Sequence, residues 1–384
     1  MRLKSWYSVM LCILLFANPT ACTQIMKGSE PPKKQITSGT TISAGVGSSF
    51  VIEPDGSLWA WGYNYRGKLG DGTTKDKQQP VKIMDAVMSI SADFHTMAIR
   101  TDGSLWAWGS NQYGELGDGT TTERLTPTRI MEDVAEVSAG AGYTLAIKTD
   151  GSLWAWGEYQ CNWLGDAKNI NHQNPVKIME DVAKVSAGYS YAMAIKIDGS
   201  LWGWSRSLNS ELDDNLTEEN TVPMKILEEV VSVSAGSGHT LAIKIDGSLW
   251  AWGSNEYGNL GDGTTKDCWI PKKVMDDVIS ASANSWYSAI IKTDGSLWVF
   301  GNNWIGKLAD EDAKHWVNPT KIMENMIDVS TGSFHTLAIG TDGSLWAWGE
   351  NDAYQLGDGA ERIQMTPIKI MDSVMLPSGT NINK

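Results

Sequence analysis

At 384 residues the chain is longer than one hydrophobic core usually organises, so either two or three domains or a repeat array is expected. Its formal net charge of −14, with no basic block after the extreme N-terminus, excludes the electrostatic footprint that a phosphate backbone requires. No nucleic-acid partner is therefore expected.

Residues 1–22 have the pattern of an export signal. Arg2 and Lys4 supply the positive start, and Trp6 to Phe16 is an apolar run too short to span a bilayer. Pro19-Thr20-Ala21-Cys22 follows, and a Cys directly after a small residue at the end of an apolar run resembles a bacterial lipobox, in which the thiol is acylated. The usual pattern has an aliphatic residue where Pro19 stands, so plain cleavage and secretion is the alternative. Residues 23–40 are polar, contain Pro31-Pro32, and are expected to form a flexible tether. The expectation is an exported, envelope-displayed protein whose membrane contact is a lipid on Cys22.

From residue 41 onward one unit recurs. Asp-Gly-Ser-Leu-Trp begins at Asp55, Asp102, Asp150, Asp198, Asp246, Asp294 and Asp342, and a proline follows each of these Asp residues after the same interval, from Pro80 to Pro367. A fixed register of this kind marks a repeat architecture. The units run 41–87, 88–135, 136–183, 184–231, 232–279, 280–327 and 328–375, followed by a tail over 376–384. In the third unit, strands are expected at Val137-Ala139, Thr144-Lys148, Ser152-Trp156 and Val176-Met179. Asp150-Gly151 predicts a type I′ hairpin between the second and third of these.

The third strand is apolar on both faces, with Leu153 and Ala155 on one and Trp154 and Trp156 on the other. Only a sheet sandwiched between neighbours tolerates that, which predicts an all-β, seven-bladed β-propeller with four antiparallel strands per blade. The first Trp of this strand is present in every unit, and the second is Trp in six units and Phe300 in the remaining one. Both rows are expected to wedge between blades. Cys12 leaves with the signal, while Cys161 and Cys268 belong to the third and fifth units, too far apart on a ring for the roughly 7 Å Cα limit of a disulfide.

The stretch Gly236 to Ile243, followed by Trp252-Gly253-Ser254-Asn255-Glu256-Tyr257-Gly258-Asn259-Leu260-Gly261-Asp262-Gly263-Thr264, resembles the regulator of chromosome condensation repeat. The resemblance covers residues 41 to about 375. It implies a seven-bladed propeller and, by family analogy, a guanine-nucleotide exchange factor. An exported, acidic chain has no small GTPase to meet, so exchange activity is not expected here. A second expectation from the resemblance is a secreted inhibitor, since an exported seven-bladed relative plugs β-lactamases with an aromatic-rich face.

Chemistry is sparse. His95, His239 and His335 share one repeat position, held elsewhere by Ser48, Tyr143, Tyr191 and Tyr287, which points to a structural hydrogen bond. His172 and His315 stand isolated in long loops. An Asp recurs in the Leu-Gly-Asp segments (Asp71, Asp118, Asp166, Asp214, Asp262, Asp310 and Asp358) and fits a turn residue better than a calcium ligand. Asp310-Glu311-Asp312 is the one local carboxylate cluster. No catalytic constellation, metal site or cofactor motif is recognised, so no enzyme and no cofactor is expected.

The aromatic residues surplus to the repeat are more informative. Trp163, Trp269, Trp286, Trp304 and Trp316 fall in the loops after the first and third strands, which emerge on one face of the disc. Phe94 and Phe334 hold the position of Trp286 in their own units, and Tyr113 and Tyr257 belong to third-strand loops. Aromatics gathered on one face are the composition of a protein-binding hot spot. The expected function is a monomeric, non-enzymatic scaffold that binds a protein partner of unknown identity through this face.

Overall fold

Short strands separated by Asp-Gly turns fold into seven antiparallel sheets of four strands, each paired in chain order. The computed structural model describes residues 40–158, 171–205, 222–303 and 315–377; the signal segment, Cys22 and nearly all of the tether lie outside the described residues. Blade 1 consists of Ile42–Ala44, Ser48–Ile52, Leu58–Gly62 and Lys77–Met84. Blade 3 consists of Val134–Ala139, Tyr143–Lys148, Leu153–Gly157 and His172–Met179. Its outer strand starts four residues before the expected Val176, because a register shift between Ala155 and Gly157 lets Gly157 pair with His172. The fold is an all-β, seven-bladed propeller.

The hairpin expected at each Asp-Gly forms, but not as a type I′ turn. In blade 1 the Gly56 N–H donates to Glu53 O at 2.9 Å and the Glu53 N–H to Ser57 O at 2.9 Å. Gly56 has φ +82° while Asp55 has a negative φ. That is a type I turn closed by a left-handed glycine, the three-residue hairpin loop with a bulge. Asp55 instead uses its side chain: Oδ1 accepts from Ser57 N at 2.8 Å and from Ser57 Oγ at 2.6 Å. The Ser57 hydroxyl in turn accepts from Trp59 Nε1 at 3.0 Å, so Asp, Ser and the first Trp form one chain.

Sheet edges are managed at both ends of each blade. Six of the seven outer strands carry the repeated proline, and in blade 4 Pro223 stands directly before the strand Met224–Leu227; it removes a donor from an edge where no neighbour needs it. At the inner edge a ring of serines does the opposite and supplies an acceptor. Ser43, Ser91, Ser138, Ser186, Ser234, Ser282 and Ser330 each accept, through Oγ, the N–H of the next blade's inner strand at 2.9 to 3.1 Å. The last of these, Ala44 N to Ser330 Oγ, joins blade 7 to blade 1.

Two residues before one of these serines, Glu136 makes the same crossing, its Oε1 accepting from Val185 N at 2.8 Å. Burial pushes its carboxyl up to about 7. Below the unfolded value near 4.5 the group is protonated in both states; above it, the folded state must ionise a buried carboxyl, so stability is lost until the pH passes about 7. Glu136→Gln is accordingly expected to leave the melting temperature unchanged at pH 4 and to raise it progressively between pH 5 and 8. A difference that stayed constant across thermal scans at these pH values would contradict the assignment.

Seven apolar clusters fill the seven spaces between blades. Between blades 3 and 4, Leu145, Leu153 and Ala155 of one face Val182, Ala192 and Trp204 of the other. The two Trp rows, expected to be equivalent wedges, are not. The second row is fully buried, whereas the first is half-buried and in blades 2 to 5 has a cation over its ring, as Lys244 stands over Trp250 at 5.2 Å. Strand alternation puts both rows on one face; the difference is their height in the blade, which the pattern alone does not give.

The ring closes with a segment borrowed from the C-terminus. From blade 2 to blade 7 each inner strand begins with an apolar residue whose N–H donates to the turn glycine of the preceding blade, as Val87 does to Gly56 O at 2.8 Å. Val374, one repeat after Met326, donates in the same way to Gly343 O at 2.9 Å. Met375 N then donates to Ile52 O of blade 1 at 2.8 Å, and Val374 and Leu376 pack in the cluster between blades 7 and 1.

Candidate functional site

Four antiparallel strands per blade deliver the turns after the first strands and the loops after the third strands to one face. There the mouth of the central channel opens into a cavity of about 590 Å3. All seven blades contribute to its lining. Its aromatic wall is Phe94, Tyr189, Trp286 and Phe334. Phe94, Trp286 and Tyr189 are 44%, 47% and 62% exposed, unusual for rings of this size. Trp286 meets Tyr257 edge-on at 6.2 Å, and Tyr257 meets His315 at 5.9 Å, an aromatic cluster across blades 5 and 6.

Beside this cavity lies a second, of about 440 Å3, walled by Phe94, Tyr189, Tyr113 and the start of the blade 1 loop. Tyr63 and Tyr65 stack there at 6.0 Å, with the Arg66 guanidinium 5.2 Å from the Tyr65 ring. Lys68 is buried, lies 5.1 Å from the Tyr63 ring centroid, and donates to Val46 O. Burial pulls its ammonium down to about 8, against the opposing influence of Asp93 and Asp76.

The structure brings Phe94, Trp286 and Phe334 to the channel mouth, and places Tyr257 against Trp286 and Tyr113 on the neighbouring cavity. Trp269 and Trp316, expected in loops, instead start the outer strands Cys268–Met275 and His315–Met323. Both are half-buried, and Trp316 packs on the cluster between blades 6 and 7. The cause is the same early start of the outer strand seen in blade 3: Trp316 pairs with Gly301. Trp163 and Trp304 lie outside the described residues, as do Cys161 and the Asp310-Glu311-Asp312 cluster. Tyr63, Tyr65, Tyr189 and Lys68 were not anticipated. Their signal was available, since Tyr-Asn-Tyr replaces Ser-Asn after the second Trp of blade 1 and Tyr189 stands in a turn otherwise built of small residues.

The histidines have structural partners. His95 Nε2 bonds Thr144 Oγ1 at 2.7 Å, His239 Nε2 bonds Ser288 Oγ at 2.9 Å and His335 Nε2 bonds Ser49 Oγ at 2.7 Å, each in the following blade. Burial pushes His95 down to about 3 and His239 to about 4, so both are neutral at physiological pH. Tyr143, at the same repeat position, crosses likewise to Tyr191 O at 2.7 Å. His172 and His315, expected in loops, begin outer strands. The Asp of the Leu-Gly-Asp turn builds its loop: Asp71 accepts from Asn64 Nδ2 at 3.0 Å and pairs with Lys77 at 2.6 Å, and Asp118 and Asp262 repeat the arrangement. Among the described residues no group of three or more His, Cys, Asp or Glu is arranged to hold a metal ion, and Cys268 is a free thiol.

The regulator of chromosome condensation (RCC1) repeat matches residues 55–99, 102–147, 246–291 and 342–378, and a second model of the same repeat matches 134–162, 230–259 and 326–355. No curated protein matches significantly. Among solved structures, Prp20p of Saccharomyces cerevisiae, described with its binding to Gsp1p and histones, aligns with TM-score 0.74 and 22% identity over 83% of this chain and 87% of that one. Yeast RCC1 (Prp20) in complex with Kap60 aligns with TM-score 0.73 and 20% identity over 90% of this chain and 89% of that one. Human WBSCR16 gives TM-score 0.73 and 18% identity over 82% and 94%. Likeness at these identities speaks for the fold. With repeat models that together span more than half of its length and seven blades on the matching period, the chain belongs to the regulator of chromosome condensation (RCC1) repeat family.

Proposed function

We propose that this propeller is a non-enzymatic protein-binding scaffold, exported and held at the cell envelope by a lipid on Cys22, and that its partner docks on the aromatic face. One observation carries the reading: Phe94, Tyr189, Trp286 and Phe334 surround a single cavity, and the first three of them are exposed there. Large rings left accessible at a recessed site are what hot spots are made of. Protein binding by the similar Prp20p, with Gsp1p and histones, is in keeping with such use of the fold.

Capture of a partner from envelope extract with the acylated full chain provides the test. Trp286→Ala is expected to weaken the captured partner at least tenfold, the scale of a hot-spot loss of about 1.4 kcal/mol or more, without shifting the melting temperature. Ile245→Ser, at a 74% exposed position on the opposite face, should leave affinity unaltered. Cys22→Ser should move the protein from membrane to soluble fractions. A partner indifferent to Trp286 but sensitive to Ile245 would refute the face assignment, and unchanged fractionation would refute the anchor.

A further inference from the structure

The cavity at the channel mouth has a charge that its aromatic lining does not explain. Among the described residues lining it, Asp93 is the one charged side chain. It is there because the turn of blade 2 is one residue shorter than that of blade 3: Asp93 N donates to His95 O at 2.9 Å as Gly140 N does to Tyr143 O, so a carboxylate stands where blade 3 has a glycine. Asp93 Oδ1 is buried and has no hydrogen-bond partner. Burial pushes the carboxyl up to about 6, with Lys68 pulling it back, which leaves it ionised at neutral pH. Lys68 acts on it only from a distance: its ammonium donates to the Val46 carbonyl and forms no ion pair with Asp93.

A carboxylate whose buried Oδ1 has no donor, the Phe94 N–H being the one backbone donor acting on the group, is a costly feature, and in a ligand-sized cavity its natural complement is a cation. The surrounding rings favour the same occupant, since aromatic faces attract cations through their quadrupole. So does the whole chain, whose net charge of −14 enriches cationic partners near its surface. An apolar plug or an acidic loop would leave Asp93 ionised, dry and unpaired.

We propose that this cavity receives one cationic side chain, an arginine or lysine on a protruding loop of the protein partner, held by the Asp93 carboxylate between Phe94, Trp286 and Phe334. The inference rests on the scaffold function above and names the chemistry of its partner. Cyclic peptides of one sequence presenting a single central Arg, citrulline or Glu, titrated calorimetrically into the full chain, test it. The Arg peptide is expected to bind at least tenfold more tightly than the citrulline form, and the Glu form not at all. Asp93→Asn should erase the preference for Arg while leaving the melting temperature equal or higher. Lys68→Met should tighten Arg binding, because it removes the competing cation. Equal affinity for Arg and citrulline, a preference that survives Asp93→Asn, or no binding by any peptide would overturn the proposal. If a captured partner were weakened by Trp286→Ala but not by Asp93→Asn, the cation site would fall and the scaffold stand; indifference to both would sink the scaffold itself.

Discussion

Trp156→Ala is expected to destabilise the propeller by about 3 to 5 kcal/mol, and Trp154→Ala, two residues earlier in the same strand, by less than half as much. Trp156 is fully buried among Met97, Leu105 and Leu116 of blade 2 and Val134 of blade 3. Its Nε1 donates to Glu115 O at 2.9 Å, so removal of the indole also leaves a buried carbonyl short of a donor. The surroundings are shaped to the ring. Gly117 sits against it so closely that a Cβ there would lie 2.6 Å from Nε1, and its φ of +77° is already in the left-handed region. Collapse into the vacated space is therefore blocked by backbone on one side and by packed blade on the other. Trp154 is half-exposed, bonds the Ser152 hydroxyl at 2.9 Å and lies under the Lys148 ammonium at 5.5 Å, so water replaces much of what its truncation removes. Urea denaturation of the two variants decides the matter: equal midpoint shifts would mean that the rows are equivalent wedges after all.

Truncation after Ser373 is expected to cost on the order of 4 kcal/mol relative to a chain ended after Pro377. The shorter chain loses Val374, Met375 and Leu376, apolar side chains worth roughly 1.5 to 3 kcal/mol each when fully buried and less for the two that are partly exposed. It also loses the bonds from Val374 N to Gly343 O and from Met375 N to Ile52 O. In a ring, each blade interface is needed to keep the others closed, so the damage should localise first at blades 1 and 7. Hydrogen exchange at Phe50 to Ile52 and Leu337 to Ile339 should quicken more than at Leu145 to Ile147, on the far side of the ring. Equal melting temperatures for the two truncated chains would show that the serine ring and the Ser49–His335 bond close the propeller unaided.

The period of the repeat sufficed to determine the architecture. A strand apolar on both faces, repeated seven times with an Asp-Gly turn before it, has few solutions other than seven stacked sheets, because local hydrogen bonding and burial agree at every unit. The structural role of His95, His239 and His335 was legible in the same way, since a position shared with tyrosine cannot depend on imidazole chemistry. How the ring closes was not legible: Val374 keeps the register of Met326, but nothing in the chain pairs the next residue, Met375, with Ile52, more than three hundred residues away.

What only the tertiary structure decided is depth and convergence. Trp154 and Trp156 are indistinguishable in an alternating pattern, and only the neighbouring blade makes one a wedge and the other a half-exposed cap. Trp316 belongs to an outer strand and not to a loop because Gly301 pairs with it across a bulge, a register that no spacing in one blade prescribes. Phe94 of blade 2, Tyr189 of blade 4, Trp286 of blade 6 and Phe334 of blade 7 stand out singly along the chain, but nothing in it joins them to one another or to Asp93. They share one cavity because closure of the ring turns every first-strand turn toward a common axis.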